Sequence, residues 1–448
     1  MREMKDSGIE WIGEIPVDWE LSKIGAVYEE RNEKVSDADF SPLSVTKQGV
    51  VPQLETAAKT NDGENRKLIR KNDFVINSRS DRRGSCGISE YDGSCSLINT
   101  VLKPRRNMCN AYYSFVFRSE RFADEFYRWG NGIVDDLWST KWSNMKRIYI
   151  PAPSLQEQRC IADYLDRKCS QIDAIIARQQ EVTEKLKAYK LSVITEAVTK
   201  GLKPNVPMKD SGVEWIGEIP EHWKLSHIGN LVEMGSGGTP ARKKPEYWEN
   251  GNIPWMSSGE INDEYIYSTA EQITELGLQN SNAKILPVNT VMLGLIGQGK
   301  TKGLTAILKT EVCCNQNLAY LIADEKYLHY RYLFYCFKAM YFYIRGLVGE
   351  SQAGIYSYFL KKLHIPLPDI EQQIRISDYL DTKCEAIKNS INKRERIIEK
   401  FTSYKRSLIY EVVTGRDEQN SWKEQPTNKA NGNRKSLGHL KGAKTIAR

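Results

Sequence analysis

The sequence predicts a duplicated α/β protein, with two α/β domains in tandem separated by two long helices. Residues 4–16, MKDSGIEWIGEIP, return at residues 208–220 with the single change of Ile9 to Val213. Residues 151–158, PAPSLQEQ, return in altered form at residues 366–373 as PLPDIEQQ. A run of about 45 residues with helical periodicity follows each of these proline-containing segments. The chain is therefore a tandem duplication of one α/β domain and one long helix.

The bulk composition indicates a soluble protein with more than one core. A chain of 448 residues is too long for one ordinary core, and 40% hydrophobic and 10% aromatic residues suffice for two. Charged residues at Arg2, Glu3 and Lys5 exclude an apolar signal segment, and no apolar run approaches the roughly 18 residues that span a bilayer. We therefore expect a cytoplasmic protein with no membrane partner. The nine cysteines lack any C-x-x-C pair, so buried free thiols are expected and no metal site.

The positive charge of the chain is concentrated near its end. The formal net charge is +7, but from Arg416 onward eight Lys or Arg residues stand against three acidic ones, a local net of +5. Residues 417–448 are also rich in Asn and Gly, which predicts a disordered basic tail. Any prediction of DNA binding by the folded part must therefore rest on local clusters.

The first α/β domain is predicted at residues 1–153. Its first 25 residues form an N-terminal strap, whose apolar side chains suit docking on another part of the chain: Trp11, Ile12, Ile15, Pro16 and Trp19. Short β-like runs at 74–76 and 98–102 lie among loops, and a helix is predicted at 112–129. The second domain, at residues 204–368, repeats this plan behind its own strap.

The two long helices are predicted at residues 154–203 and 369–416. Ser154 is the expected N-cap, with Glu157 completing a capping box, and Gly201 suits the left-handed residue that ends a helix. Apolar side chains recur every three or four residues in each helix and form a heptad seam. In the first helix the seam is Ile161, Leu165, Lys168, Ile172, Ile175, Gln179, Val182, Leu186, Tyr189 and Val193. In the second helix it is Ile376, Leu380, Lys383, Ile387, Ser390, Arg394, Ile397, Phe401, Tyr404 and Leu408.

Each seam needs a partner, because a lone helix would leave its apolar stripe in water. The simplest partner is the other helix of the same chain. The alternative is that each helix forms an independent coiled coil in a homodimer.

A phosphate-binding loop pattern occurs at residues 294–301, GLIGQGKT. Such a loop must open a helix whose N-terminus holds the anion. Residues 302–307 instead predict a turn and a strand, and the corresponding loop of the first half, residues 78–86, lacks the pattern. The sequence therefore argues against an ATP-binding enzyme, which remains the alternative that predicts nucleotide binding through Lys300.

The same loop is a better candidate for reading DNA bases. It lies between equivalent strands in both halves, but its polar residues differ: Arg79, Arg82 and Arg83 in the first half, and Gln298, Lys300 and Lys302 in the second. Arg and Lys pair with guanine or phosphate, and Gln pairs with adenine, so two unlike loops suit two different half-sites. An ordinary solvated loop is the alternative.

Further DNA-contact candidates lie where small residues stand beside basic or aromatic ones. In the first half they are Lys47 and Gln48, and in the second half Ser236, Gly238, Thr239, Lys243 and Ser257. Small residues permit a close approach to a duplex, although glycine-rich turns are often only turns.

The chain resembles the specificity subunit of type I restriction-modification systems over residues 1 to about 415. Four features together carry the resemblance. They are the two WIGEIP straps, the SGGTP segment at 236–240 with Trp255, the Asn315-Gln316 step, and the proline-rich starts of both helices at 151–158 and 366–373.

The resemblance implies that each α/β domain is a target recognition domain that reads one half of a split, asymmetric sequence in double-stranded DNA. The two helices would form an antiparallel, pseudo-twofold coiled coil that sets the spacer and docks two modification subunits. The end of the second helix would then return to the first strap.

The chain itself would have no active site and no cofactor. S-adenosylmethionine, ATP and Mg²⁺ would belong to the modification and restriction subunits, in agreement with the absence of an Asn-Pro-Pro-aromatic methylation motif. A coiled-coil scaffold without DNA preference is a further alternative.

Overall fold

The computed structural model describes residues 2–55, 63–132, 138–296, 301–347 and 355–417. The chain divides into two compact units. Unit 1 comprises residues 1–177 and 398–448, and unit 2 comprises residues 178–397. Each unit therefore contains one α/β domain and a part of each long helix.

The domain of unit 1 is built on antiparallel strands, and its helices α2 to α4 follow one another between β12 and β13. Its elements are β1 Met4–Asp6, β2 Glu14–Pro16, β3 Glu20–Lys23, α1 Ile24–Val27, β4 Tyr28–Glu30, β5 Lys34–Val35, β6 Leu43–Thr46, β7 Gly49–Pro52, β8 Arg66–Ile69, β9 Phe74–Asn77, a 3-10 helix Ser80–Arg82, β10 Cys86–Ile88, β11 Gly93–Cys95, β12 Asn99–Pro104, α2 Asn110–Arg118, α3 Glu120–Arg128, α4 Trp142–Met145 and β13 Tyr149–Ala152. Within the described residues the largest sheet has the strand order β10-β9-β12-β4, beside a sheet β11-β8-β5 and the pairs β1-β2, β3-β13 and β6-β7.

The single helix predicted at residues 112–129 is two helices. The α2 helix ends at Arg118, and the backbone of Ser119 is extended, with φ −67° and ψ 143°. The Ser119 hydroxyl accepts a hydrogen bond from the Phe122 amide at 3.4 Å and so caps the start of α3. The prediction was wrong because the aromatic residues continue their helical spacing through the break.

The domain of unit 2 repeats this architecture after the first long helix, α5 Leu155–Lys200. Its elements are β14 Met208–Asp210, β15 Glu218–Pro220, β16 Lys224–His227, β17 Val232–Ser236, β18 Ile253–Met256, β19 Tyr265–Ile266, β20 Glu271–Ile273, α6 Glu275–Gln279, β21 Val291–Gly294, β22 Thr305–Leu308, β23 Cys313–Cys314, β24 Leu318–Ala323, α7 Tyr330–Ala339, α8 Tyr341–Leu347, α9 Ser357–Lys362 and β25 His364–Leu367, with 3-10 helices at Ile228–Asn230, Pro245–Tyr247 and Ser258–Asn262. The second long helix is α10 Ile370–Val413. In the described residues the main sheet has the order β17-β24-β21-β22-β19, beside β20-β18-β23, β14-β15 and β16-β25.

The two main sheets share one frame. The order β10-β9-β12-β4 in unit 1 corresponds to β22-β21-β24-β17 in unit 2. Equivalent hydrogen bonds also join each domain to the end of a long helix. The Tyr112 hydroxyl donates to the Val413 carbonyl at 2.9 Å, and the Tyr332 hydroxyl donates to the Val198 carbonyl at 3.0 Å. The predicted duplicated α/β fold is therefore confirmed.

The N-terminal strap docks through its apolar side chains, as predicted. It begins with the β1-β2 hairpin, in which Met4 pairs with Pro16 and Asp6 with Glu14. Its buried side chains, each at most 5% exposed, are Trp11, Ile12, Ile15 and Trp19. Burying an apolar side chain of this size contributes about 1.5–3 kcal/mol, so the strap is a substantial part of the core of unit 1.

The end of α10 closes on the same strap within unit 1. The Tyr410 hydroxyl donates to the Ile12 carbonyl at 3.0 Å, and the Arg416 guanidinium donates to the carbonyls of Ile12 and Glu14 at 3.0 and 3.2 Å. Gly13, at φ +68°, leaves room for that guanidinium, because a β-carbon there would collide with it. The expected return of the second helix to the first strap is confirmed.

The first long helix begins and ends at the predicted signals. The Ser154 hydroxyl accepts from the Glu157 amide at 3.3 Å, and the Glu157 carboxylate accepts from the Ser154 amide, also at 3.3 Å. Gly201, at φ +77°, follows the last residue of α5. The Asp369 carboxylate caps α10 by accepting from the Gln372 amide at 2.8 Å.

Contacts between the two helices show that they run antiparallel. In unit 1, Lys405 near the end of α10 pairs with Asp173 in the first half of α5, at 2.6 Å. In unit 2, Arg394 donates to the Gln179 side chain at 2.7 Å. Residue numbers thus rise along α5 as they fall along α10.

The predicted heptad seam is buried mainly toward the ends of the helices. Buried members are Ile161, Leu165, Ile172, Val193, Ile376, Leu380, Ile387 and Leu408, whereas Leu186 and Phe401 are half-buried. Tyr189 and Tyr404 are 56% and 55% exposed. Two causes fit this pattern: the buried ends join the cores of their own α/β domains, and a 3.6-residue helix drifts away from a strict seven-residue repeat.

Candidate DNA interface

Three chain segments meet at one end of the main sheet in unit 1. The Ser78 amide, just after β9, donates to the Ile98 carbonyl at 3.3 Å, and the Thr140 amide donates to the Ser78 carbonyl at 3.0 Å. Ile98 belongs to the turn before β12, and Thr140 precedes α4. We call these three segments, residues 78–83, 96–98 and 139–146, the recognition edge of unit 1.

Unit 2 has the same arrangement. The Leu295 amide, just after β21, donates to the Asn317 carbonyl at 2.9 Å, and the Ile355 amide donates to the Leu295 carbonyl at 2.8 Å. The recognition edge of unit 2 therefore comprises residues 295–296, 315–317 and 355–362. Backbone hydrogen bonds hold the frame in both units, so the side chains at the edge are free to differ.

The recognition edge of unit 1 borders a cavity of about 620 Å³. Cationic side chains at the cavity are Lys67, Arg79, Lys141 and Lys146, and the apolar turn residues Leu97 and Ile98 also line it. Lys67 is held inside the fold, since it donates to the Asn99 carbonyl at 3.0 Å and pairs with Glu30 at 3.4 Å. Lys141 and Lys146 are exposed, and neither forms an ion pair within the described ranges.

The three predicted arginines of unit 1 lie at this edge in a network with carboxylates. Arg79 and Arg82 approach Asp81 at 3.2 and 3.6 Å, and Arg83 pairs with Asp124. Exposed ion pairs of this kind contribute only about 0–1 kcal/mol, so a phosphate can replace a carboxylate at little cost. Their arrangement suits contacts with DNA phosphates or guanine edges.

Lys47 and Gln48 lie elsewhere in unit 1. Both are exposed in the turn between β6 and β7. The Arg118 guanidinium donates to the Lys47 carbonyl at 3.0 Å, and Gly87 of β10 packs closely against Gly49. The structure therefore does not bring these two residues to the recognition edge.

In unit 2, the small residues at 236–240 mostly serve packing inside the domain. Gly238 is buried, where a β-carbon would lie 2.7 Å from the backbone of Asn282, and its carbonyl accepts from the Trp255 indole at 2.9 Å. The glycine was expected to allow close approach of a DNA duplex, but the space beside it is filled by other residues of the same domain. Thr239 does reach the recognition edge, because its hydroxyl donates to the Gln316 side chain at 2.6 Å.

The remaining predicted residues of unit 2 fall into different environments. Ser236 and Lys243 are exposed, whereas Ser257 caps a 3-10 helix, with its hydroxyl donating to Glu260 at 3.0 Å. Lys302 is only 8% exposed, which differs from the accessible loop position that was predicted. Gln298 and Lys300 lie outside the described residues.

A stacked cation beside the 236–240 segment was missed by the sequence reasoning. The Arg242 guanidinium lies 3.8 Å from the centre of the Trp248 ring and 4.8 Å from that of Trp255. Its hydrogen bond to Glu271 raises the pKa of Arg242. The spacing of one arginine and two tryptophans gave no periodic signal, since they meet only in the folded domain.

Lys141, Trp142 and Lys146 were also missed, although they line the cavity of unit 1. A usable signal existed, because residues 138–151 contain three cations and no acidic residue. The corresponding residues 355–366 are likewise free of acidic side chains.

Other kinds of site find no support in the part of the chain that the structure describes. Residues 305–308 after the phosphate-loop pattern form a strand, as predicted, and not a helix. No group of three or more His, Cys, Asp or Glu side chains is placed to hold a metal ion among the described residues. None of the described helices is long and apolar enough to cross a membrane. The nine cysteines are free thiols, and most are buried.

Comparison with known proteins places these features in one family. The family model for the type I restriction modification DNA specificity domain matches residues 16–184 and again residues 220–431. The specificity subunit of EcoR124I/EcoR124II from Escherichia coli is 28% identical over 61% of this chain, and the match spans 65% of that subunit. The specificity subunit of MjaVIII from Methanocaldococcus jannaschii is 24% identical over 90% of this chain and 93% of its own length.

A solved structure supports the fold. It comes from work on the assembly and conformational transition of a type I R-M system, and it covers 89% of this chain and 98% of its own, with a TM-score of 0.69 and 15% identity. The duplicated domain, the antiparallel helices and the two matches to the family model agree. The chain therefore belongs to the type I restriction modification DNA specificity family.

Proposed function

We propose that this chain reads a bipartite, asymmetric DNA target, with one half-site recognised by each unit. The supporting observation is that the two recognition edges share one backbone frame but carry unlike side chains. The turn before the last sheet strand presents Leu97 and Ile98 in unit 1, and Gln316 and Asn317 in unit 2. Apolar side chains suit thymine methyl groups and amides suit adenine edges, so the same frame can read different bases.

We further propose that the chain directs adenine methylation and DNA cleavage without catalysing either reaction. In this proposal two modification subunits bind S-adenosylmethionine, and restriction subunits bind ATP and Mg²⁺. The chain contributes recognition and holds no cofactor. The absence of a methyltransferase motif from the sequence supports this division of labour.

The experiment is single-molecule sequencing of methylated adenines in cells that carry this chain with its modification subunits. We expect methylation at one target made of two unlike half-sites separated by an unspecific spacer. Cells with the modification subunits alone are the control and should lack this pattern. Methylation of a palindrome, or methylation unchanged by removal of the chain, would contradict the proposal.

A further inference from the structure

A short helix precedes the last strand of each domain, α4 in unit 1 and α9 in unit 2, and one face of it packs on the core. Met145 and Leu360, at equivalent positions, are its fully buried anchors. Glycines allow its close contact with the start of each domain: a β-carbon on Gly25 would lie 3.1 Å from Lys146, and one on Gly229 would lie 2.9 Å from Lys361. These contacts fix the backbone of the segment, while Lys141, Ser143 and Lys146 in unit 1 and Tyr356, Tyr358 and Phe359 in unit 2 remain exposed.

These exposed side chains have a composition unlike that of an ordinary solvated surface. In unit 2, Tyr356 and Tyr358 are 61% and 63% exposed, and Phe359 is also exposed. Lys361 and Lys362 follow directly, and the Lys362 ammonium lies 4.2 Å from the centre of the Tyr358 ring. Lysine and tyrosine side chains are among those that contact the phosphates and sugars of a DNA duplex.

The two helices are alike in one respect and different in another. Cations recur at equivalent places, Lys146 with Lys361 and Arg147 with Lys362. The preceding positions differ, since Lys141, Ser143 and Asn144 in unit 1 correspond to Tyr356, Tyr358 and Phe359 in unit 2. The shared cations suit the phosphate backbone, which is the same in every sequence. The side chains that differ between the units suit contacts with half-sites of different sequence.

The location of α4 strengthens the inference. Lys141, Trp142 and Lys146 line the same cavity as Arg79 of the predicted reading loop. Neither Lys146 nor Lys361 has an ion-pair partner among the residues that the structure describes. A polyanion that reaches the arginine loop therefore also meets this helix.

From these observations we infer that α4 and α9, together with the residues directly flanking them, are DNA-contacting elements, an inference that rests on the proposed function. Lys146 and Lys361 bind phosphates and fix the register of each unit on the duplex. Tyr356 and Tyr358 contact bases or sugars and contribute to the choice of half-site by unit 2.

The test uses the complex of the full chain with its modification subunits. Binding to a duplex with the mapped target and to a scrambled duplex is measured by fluorescence anisotropy over a range of salt concentrations. For K146Q with K361Q we expect both duplexes to be bound more weakly by a similar factor, roughly threefold to tenfold, and a salt slope lower by about one per lysine. For Y356A with Y358A we expect a larger loss for the target than for the scrambled duplex.

The matched control is K326Q. Lys326 is exposed and follows the end of β24, whereas the recognition edge lies at the start of that strand. Its replacement should leave both affinities unchanged.

Unchanged binding and salt slope in K146Q with K361Q would overturn the inference. Failure of these variants to assemble with modification subunits would also overturn it, because the surface would then be a protein interface. If the unaltered complex does not distinguish the two duplexes, the proposed function itself fails.

Discussion

Glu264 is the counterion of two lysines from different helices in unit 2. The ammonium groups of Lys338 and Lys190 lie 2.9 and 3.2 Å from its carboxylate. Burial alone would raise the pKa of Glu264, but the two cations outweigh it and lower the pKa from 4.5 to about 2. Burial also lowers the pKa of Lys338, and its attraction to Glu264 opposes that shift. The cluster links α5 and α7 to Glu264, the residue just before β19.

We predict that E264Q lowers the free energy of unfolding by roughly 1–3 kcal/mol at neutral pH, because two partly buried cations lose their counterion. The folded-state pKa lies below the unfolded one, so the stabilisation is complete above pH 4.5 and is lost as the pH falls toward about 2. Urea unfolding followed by tryptophan fluorescence at a series of pH values measures both effects. In E264Q this part of the acid dependence should disappear.

The matched control is E181Q, which removes a carboxylate from an exposed pair with Lys185 on α5. Exposed pairs contribute little, so its stability should stay close to that of the unaltered chain. Equal stability of E264Q and E181Q would contradict the role given to Glu264.

Among the elements, helix ends are predictable when their signals are local. Ser154 and Glu157 are three residues apart, and Gly201 stands directly behind the last helical residue, so one sequence window contains each signal. Ser119 is a signal of the same kind, but it lies inside a run of aromatic residues that keeps helical spacing. The spacing of apolar residues alone therefore predicts one continuous helix, and the break between α2 and α3 is visible only in the structure.

The recognition edge is less predictable, because its parts come together only through long-range hydrogen bonds. Arg79 could be chosen from the duplicated frame, since strands on both sides of its loop recur. Lys146 lies far along the chain from Arg79, and no local pattern links them. Lys302 shows the opposite error, because a charged residue in a variable loop gives no sign of its burial.

At the scale of the two long helices, we predict that their length sets the spacer between the half-sites. Insertion of four residues beside Gln179 and of four beside Arg394 adds one turn to both helices, about 6 Å at ~1.5 Å per residue. This corresponds to roughly two base pairs at ~3.4 Å each. Methylation mapping should then show a longer spacer and unchanged half-sites.

Insertion in one helix only is the control and should weaken folding, because it breaks the Gln179–Arg394 register. Altered bases within the half-sites would contradict the prediction.

For the whole molecule, the shared frame predicts that one recognition domain can replace the other. Behind the β1-β2 hairpin, the exchangeable part of the unit 1 domain runs from β3 to β13, and Glu20 pairs with Ala152 across these strands. The domain of unit 2 is bounded in the same way by β16 and β25, where Lys224 pairs with Leu367. A chain in which residues 20–152 replace residues 224–367 keeps both strap hairpins, β1-β2 and β14-β15, and both long helices. The bonds that Tyr112 and Tyr332 make to the helix ends are equivalent, so the transplanted domain retains its anchor.

We expect this variant to direct methylation to a target built from two copies of one half-site, because both recognition edges then carry the same side chains. Single-molecule sequencing of methylated adenines measures the outcome. The control is a variant with both domains exchanged, which should keep both original half-sites, since each edge is still present once. Methylation at the original asymmetric target by the chain with two copies of the first domain would show that sequence choice lies outside the α/β domains. Loss of the second half-site together with gain of a second copy of the first would assign that choice to the domain between β3 and β13.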